Sequence, residues 1–209
     1  MEIAVVLYPS FTALDAIGPY EVLSRLPGAK LTFVAEQRGP LVTDNGMLTL
    51  LAERSLSETR GADIVLVPGG PGEVAARAGA TTLDWLRTAD ETSTWTSSVC
   101  TGSLVLAAAG LLEGRRATTH WLAFDELERL GAVGVHERVV FDGKYVTGAG
   151  VSAGIDMALS LAAKVASPEV AQAIQLGIEY DPQPPFDAGS PEKAPQPIVE
   201  ALRARSRFL

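Results

Sequence analysis

Residues Asp63–Val67 read Asp-Ile-Val-Leu-Val and pass directly into Pro68-Gly-Gly-Pro-Gly72. Four apolar residues in a row, three of them β-branched or flanked by β-branched neighbours, are too few for a helix. They leave no polar face to turn toward water, so they require cover on both sides, as in a parallel sheet. Glu2–Tyr8 has the same character, and Thr94–Val99 forms a third strand that stops at Cys100. Thr101-Gly102-Ser103 then opens an apolar helix over Leu104–Ala109. A buried strand that ends in a glycine turn and resumes as a helix is the unit of an open α/β sheet. Such sheets gather their ligand sites at the carboxyl ends of the strands, so both loops are expected at one edge.

The remaining elements fit that plan. Leu14, Ile17, Val22, Leu23 and Leu26 recur at helical spacing over Leu14–Leu26, with Gly18-Pro19 expected to break or bend the first turn. Leu31–Ala35 reads as a strand. Leu41–Leu51 reads as a hairpin around Asp44-Asn45-Gly46, and Val135–Phe141 with Lys144–Thr147 as another around Asp142-Gly143. Trp121–Leu130 and Ser152–Ala166 read as helices, and Ser167-Pro168-Glu169 caps a further one. Asp181–Pro197 carries six prolines in 17 residues and is expected to be largely irregular. The chain therefore divides into an α/β domain over residues 1–180 and a Pro-rich extension over 181–209, packed on the same domain or on a dimer partner.

Composition narrows the function classes. With 209 residues, 47% of them hydrophobic, one core is sustainable without metals or disulfides. The formal charge of -8 opposes the electrostatic attraction that dominates nucleic-acid binding, so no nucleic-acid partner is expected. The single cysteine can make neither an internal disulfide nor a multi-cysteine zinc site. No basic stretch precedes the first apolar run, and Leu104–Leu112 falls far short of the roughly 20 residues of a membrane span. A cytoplasmic protein with no membrane partner is expected.

A lone cysteine is ordinarily a small buried hydrophobe. Cys100 is different because Val99-Cys100-Thr101-Gly102-Ser103 puts it at a strand-to-helix turn, an elbow that projects a nucleophile off the sheet edge. A helix N-terminus lowers a thiol pKa, so a ready anion is expected there. The N–H groups of Gly69 and Gly70 in the loop, and of Gly102 at the helix start, are the natural donors to charge developing on a substrate. His120 and His136 lie away from the elbow in sequence and read as structural, as do Trp85 and Trp95; Trp121 is a candidate pocket wall. On its own residues Asp15 reads as a helix N-cap.

Several segments together resemble the ThiJ/PfpI superfamily over nearly the whole chain: Leu14-Asp15 through Val22, Val67–Gly72, Ser98–Ser103, Gly114–Trp121, Thr147–Gly150 with Ala153–Asp156, and Pro184–Pro191. The resemblance implies a flavodoxin-like, mainly parallel sheet with helices on both faces and a cysteine nucleophile elbow, and a homodimer. It implies Cys100 as nucleophile, Asp15 as the neighbouring acid and Thr101 as a supporting hydroxyl. Many relatives carry a histidine where Thr101 stands and a glutamate where Asp15 stands, which argues against cysteine-histidine peptidase chemistry. The activity it implies is hydration of a small-molecule isonitrile to an N-substituted formamide, with no cofactor and no metal. Glyoxalase-like carbonyl chemistry and a ligand- or redox-sensing domain are the alternatives. Family regulators add a helix-turn-helix region, whereas here only a short basic tail, Arg203–Arg207, is expected after the domain, which favours an enzyme.

Overall fold

The structure is a computed structural model and describes residues 1–208. In chain order it places β1 (Glu2–Val6), α1 (Ala13–Leu23), β2 (Lys30–Ala35), β3 (Gly39–Val42), β4 (Thr49–Ala52) and β5 (Arg54–Ser55). Then come β6 (Ile64–Val67), α2 (Glu73–Ala76), α3 (Ala80–Thr92), β7 (Trp95–Val99), α4 (Gly102–Ala108), β8 (Arg116–Ala117), α5 (Phe124–Arg129) and β9 (Val133–Gly134). The chain continues through β10 (Val139–Asp142), β11 (Tyr145–Gly148), α6 (Ala153–Val165), α7 (Pro168–Gly177) and α8 (Gln196–Arg203).

Seven strands form one sheet in the order β10-β11-β7-β6-β1-β2-β5, parallel throughout except for the β10–β11 hairpin. The central strands β1 and β6 carry the continuous apolar runs, β7 buries Thr96, Ser97 and Ser98 beside them, and Val5, Ile64, Leu66, Val67 and Val99 are fully buried. From β1 the chain winds outward to β2 on one side and through β6, β7 and β11 on the other. Right-handed crossovers in opposite directions place helices on opposite faces. Accordingly α1 packs on α6 and α6 on α7, while α4 gathers α2, α3 and α5. The strand order reverses between β1 and β6, and the carboxyl ends of β1, β6 and β7 meet at that switch point.

Three expectations are corrected. Gly18-Pro19 does not break its helix: α1 runs unbroken through a buried Pro19. The ring is held in the α1–α6 interface, close enough that a Cβ on Gly154 would lie 3.2 Å from it. The helix expected from Trp121 starts at Phe124, because residues 120–123 form a turn in which Ala123 N–H donates to the His120 carbonyl at 2.8 Å. The Pro-rich segment is irregular only as far as Pro195, where α8 begins with Pro197 in its first turn, a position that needs no N–H. The hairpin at Asp44-Asn45-Gly46 forms as a separate two-stranded sheet, and Ser167 caps α7 through Val170 N–H at 3.3 Å.

Candidate active site

Cys100 ends β7 with φ 57°, a left-handed conformation that costs a non-glycine residue free energy and persists only where its surroundings fix it. They do. Cys100 N–H donates to the Gly148 and Ala149 carbonyls at 3.0 and 2.9 Å, while the Cys100 carbonyl accepts from Ser103 Oγ at 3.0 Å and Thr119 Oγ1 at 3.1 Å. Four partners from three segments hold the elbow that the sequence spacing predicts. The helix after it must pass very close to β6: a Cβ on Gly102 would lie 2.1 Å from the Val67 carbonyl oxygen. Gly102 therefore serves packing at the helix start.

Asp15 is fully buried in the first turn of α1. It is not the N-cap; Thr12 occupies that position. Its Oδ2 accepts from Gly69 N–H at 2.9 Å, and Oδ1 is buried without a hydrogen-bond partner. The Cys100 thiol adjoins the carboxyl and favours its charged form. Thr101, also buried, accepts from Gly70 N–H through Oγ1 at 3.0 Å. The N–H groups of Gly69 and Gly70 are thus turned to the acid and the hydroxyl, fixing both side chains.

Burial dominates the electrostatics. It pushes the Asp15 carboxyl up to about 7, against the stabilising influence of Gly69 and Cys100. Burial, and then the Asp15 charge, push the Cys100 thiol well above its usual range. The expectation of a thiol poised as an anion is therefore corrected: the resting group is a protonated thiol beside Asp15. The N–H groups of Val151 and Thr101 reach the sulfur and favour its anion, but do not outweigh desolvation. The pair can move a proton between sulfur and carboxyl when a substrate brings compensating charge.

A cavity of about 400 Å³ opens over Cys100 and Thr101, bounded by Gly70, Pro71, His120, Leu122 and Val151. His120, read as structural, stands in this wall. Its Nδ1 accepts from Leu122 N–H at 3.3 Å, which leaves the ring proton on Nε2, and burial lowers its pKa. Tyr8 donates to the Pro68 carbonyl at 2.5 Å, tying the end of β1 to the glycine loop. Sequence reasoning missed Thr119, Val151, Tyr8 and the His120 placement; Thr119 lies inside the matching segment Gly114–Trp121 and Val151 directly after Thr147–Gly150. His136 stacks on Phe124 with ring centroids 3.9 Å apart and, with Trp121, lines a separate cavity of about 360 Å³. Trp121 is therefore a wall, but not of the Cys100 cavity. Among the described residues no group of three or more His, Cys, Asp or Glu is arranged to hold a metal ion.

An open α/β sheet with a strained cysteine at the β7 elbow and a buried carboxyl beside it defines the class of protein. The DJ-1/PfpI family model matches residues 1–164, and the chain belongs to that family. It is 43% identical over 206 residues to the isonitrile hydratase of Pseudomonas putida, covering 99% of this chain and 90% of that protein. It is 33% identical over 172 residues to a helix-turn-helix transcriptional regulator of Pseudomonas aeruginosa, covering 79% of this chain but 51% of the regulator. A ThiJ/PfpI family protein from Pseudomonas syringae superposes with a TM-score of 0.94 at 39% identity, over 97% of this chain and 84% of that one.

Proposed function

We propose that the protein is an isonitrile hydratase, converting an organic isonitrile and water to the N-substituted formamide with Cys100 as nucleophile. The observation that carries this reading is the buried pair of the Cys100 thiol and the neighbouring Asp15 carboxyl, in a chain 43% identical to an isonitrile hydratase over nearly its full length. The terminal carbon of an isonitrile accepts both a nucleophile and a proton. Asp15 takes the thiol proton as sulfur attacks that carbon and delivers it to the same carbon, giving a thioimidate, Cys100-S-CH=N-R. Water then adds across the C=N bond, its hydroxyl going to carbon and its proton to nitrogen. The tetrahedral species collapses: the C–S bond breaks, the formyl carbonyl forms, and the hydroxyl proton returns through Asp15 to sulfur.

Thr101 supports the second stage. Its oxygen is oriented by Gly70 N–H, which positions the hydroxyl beside the elbow to hold the water or the substrate nitrogen. Val151 and Thr101 N–H groups stabilise the sulfur as it gains negative charge on leaving. The working form is a cytoplasmic homodimer. Support for a dimer comes from the Pro-rich segment, where Phe186 stands 79% exposed in the single chain. Incubation with an isonitrile labelled with 13C at its terminal carbon tests the function: a formyl carbon signal of the formamide is expected. Turnover of methylglyoxal without isonitrile hydration would replace this reading with carbonyl chemistry.

A further inference from the structure

Arg205, Ser206, Arg207 and Phe208 line the Cys100 cavity together with Gly70 and Pro71 of the glycine loop. These residues lie more than a hundred positions from the elbow, yet they are fixed to the site by one side chain. The Arg207 guanidinium donates to the Gly70 carbonyl and to Glu73 Oε1, both at 3.2 Å. Glu73 is fully buried, and its Oε2 lies 3.0 Å from Arg77 Nε. A buried carboxylate needs its counter-charges, so Glu73 gives Arg207 a strong reason to stay docked. Gly70 is also the loop residue whose N–H orients Thr101. The guanidinium also sits 4.6 Å from the Phe208 ring centroid, a cation-aromatic contact that fixes the ring's place in the wall.

Near the sulfur the site offers polar groups: the carboxyl, the Thr101 hydroxyl and the N–H donors. Phe208, Leu122, Pro71 and Val151 add apolar surface to the same cavity. A substrate attached through a terminal carbon at Cys100 would direct its substituent away from the polar end. We propose that Arg205–Phe208 is the specificity-determining wall of the site, with Arg207 the positioning residue that docks it and Phe208 the surface that packs against an apolar, preferably aromatic, substituent of the substrate. For isonitriles this rests on the hydratase reading, and it makes arylalkyl isonitriles better substrates than methyl isonitrile.

The test separates the two. In the full chain, the rate of Cys100 alkylation by N-benzyl-2-iodoacetamide is compared with that by N-methyl-2-iodoacetamide, which differ only in the group that reaches the wall. A benzyl preference is expected that falls roughly tenfold in Phe208→Ala, the scale of losing apolar contact in a pocket. Arg207→Gln lowers the preference in the same direction, and Arg207→Lys, which keeps the charge for Glu73, retains more of it. The kcat/KM ratio for benzyl over methyl isonitrile follows the same order, with the loss in KM. Alkylation ratios that are equal in the parent and in Phe208→Ala overturn the proposal. A ratio that collapses as expected in a protein that hydrates no isonitrile leaves the wall standing and removes the hydratase reading.

Discussion

Gly69 and Asp15, 54 positions apart, are joined by a 2.9 Å bond from backbone N–H to carboxylate. No side chain fits at position 69: a Cβ there would lie 2.5 Å from Thr101 N, 2.7 Å from Thr101 Oγ1 and 2.9 Å from Asp15 Oδ2. Two of those contacts are to the residue after the elbow and one to the buried acid. Gly69→Ala is therefore expected to displace both together. Since a misplacement of about 1 Å costs on the order of a hundredfold in rate, kcat/KM should fall by about that factor, with a stability loss of roughly 1–3 kcal/mol in urea. Parent-like kinetics in this variant would show that the acid need not sit where Gly69 holds it.

The raised Asp15 carboxyl makes a signed prediction about stability. Its pKa is about 7 in the folded protein against an ordinary value of 3.8. Below 3.8 both states hold the proton. Between 3.8 and 7 the unfolded chain releases it while the folded protein keeps it, so stability falls as pH rises, by on the order of 4 kcal/mol in total, and flattens above 7. Asp15→Asn cannot ionise. Denaturation curves from pH 4 to 8 should show the variant gaining on the parent across that window, and a constant difference would place the carboxyl pKa near its ordinary value.

The same variant should separate reactivity from turnover. Asn keeps an acceptor for Gly69 N–H but has no proton to exchange with sulfur. Thiol alkylation should persist while hydration drops by about 10²- to 10⁴-fold, the usual worth of a positioned acid-base group. Equal kinetics for Asp15→Asn and the parent would leave Asp15 a structural residue.

Much of this was written locally in the chain. The runs Asp63–Val67 and Thr94–Val99 announced central strands because each lies within one segment, and the Cys100 elbow followed from the residues on either side of it. What stayed hidden was non-local. Thr119 holds the Cys100 carbonyl from 19 residues away, and Arg207 reaches Glu73 across 134, and no spacing rule connects such pairs. The thiol pKa is non-local for a related reason: the backbone dipoles that lower it are adjacent in sequence, whereas the burial and the α1 carboxylate that raise it come from the tertiary fold. Pro19 misled because a proline in a helix was weighed by its missing N–H and not by the interface it packs into.

Assembly is open to direct measurement. A homodimer in solution should give twice the 22.0 kDa chain mass by light scattering at micromolar concentration. Removing residues 181–209 should weaken that association or the activity. A 22.0 kDa species at those concentrations would contradict the dimer.

The central claim is that Cys100 forms a covalent bond to the isonitrile carbon. Intact-mass spectrometry after rapid mixing and acid quench tests it, because addition of a thiol across that carbon expels nothing. The account predicts a species heavier by the full mass of the isonitrile, located at Cys100, that decays as formamide appears and is missing from a folded, inactive Cys100→Ala variant. Hydration by Cys100→Ala at an appreciable rate, or turnover by the parent with the adduct on another residue, would contradict it.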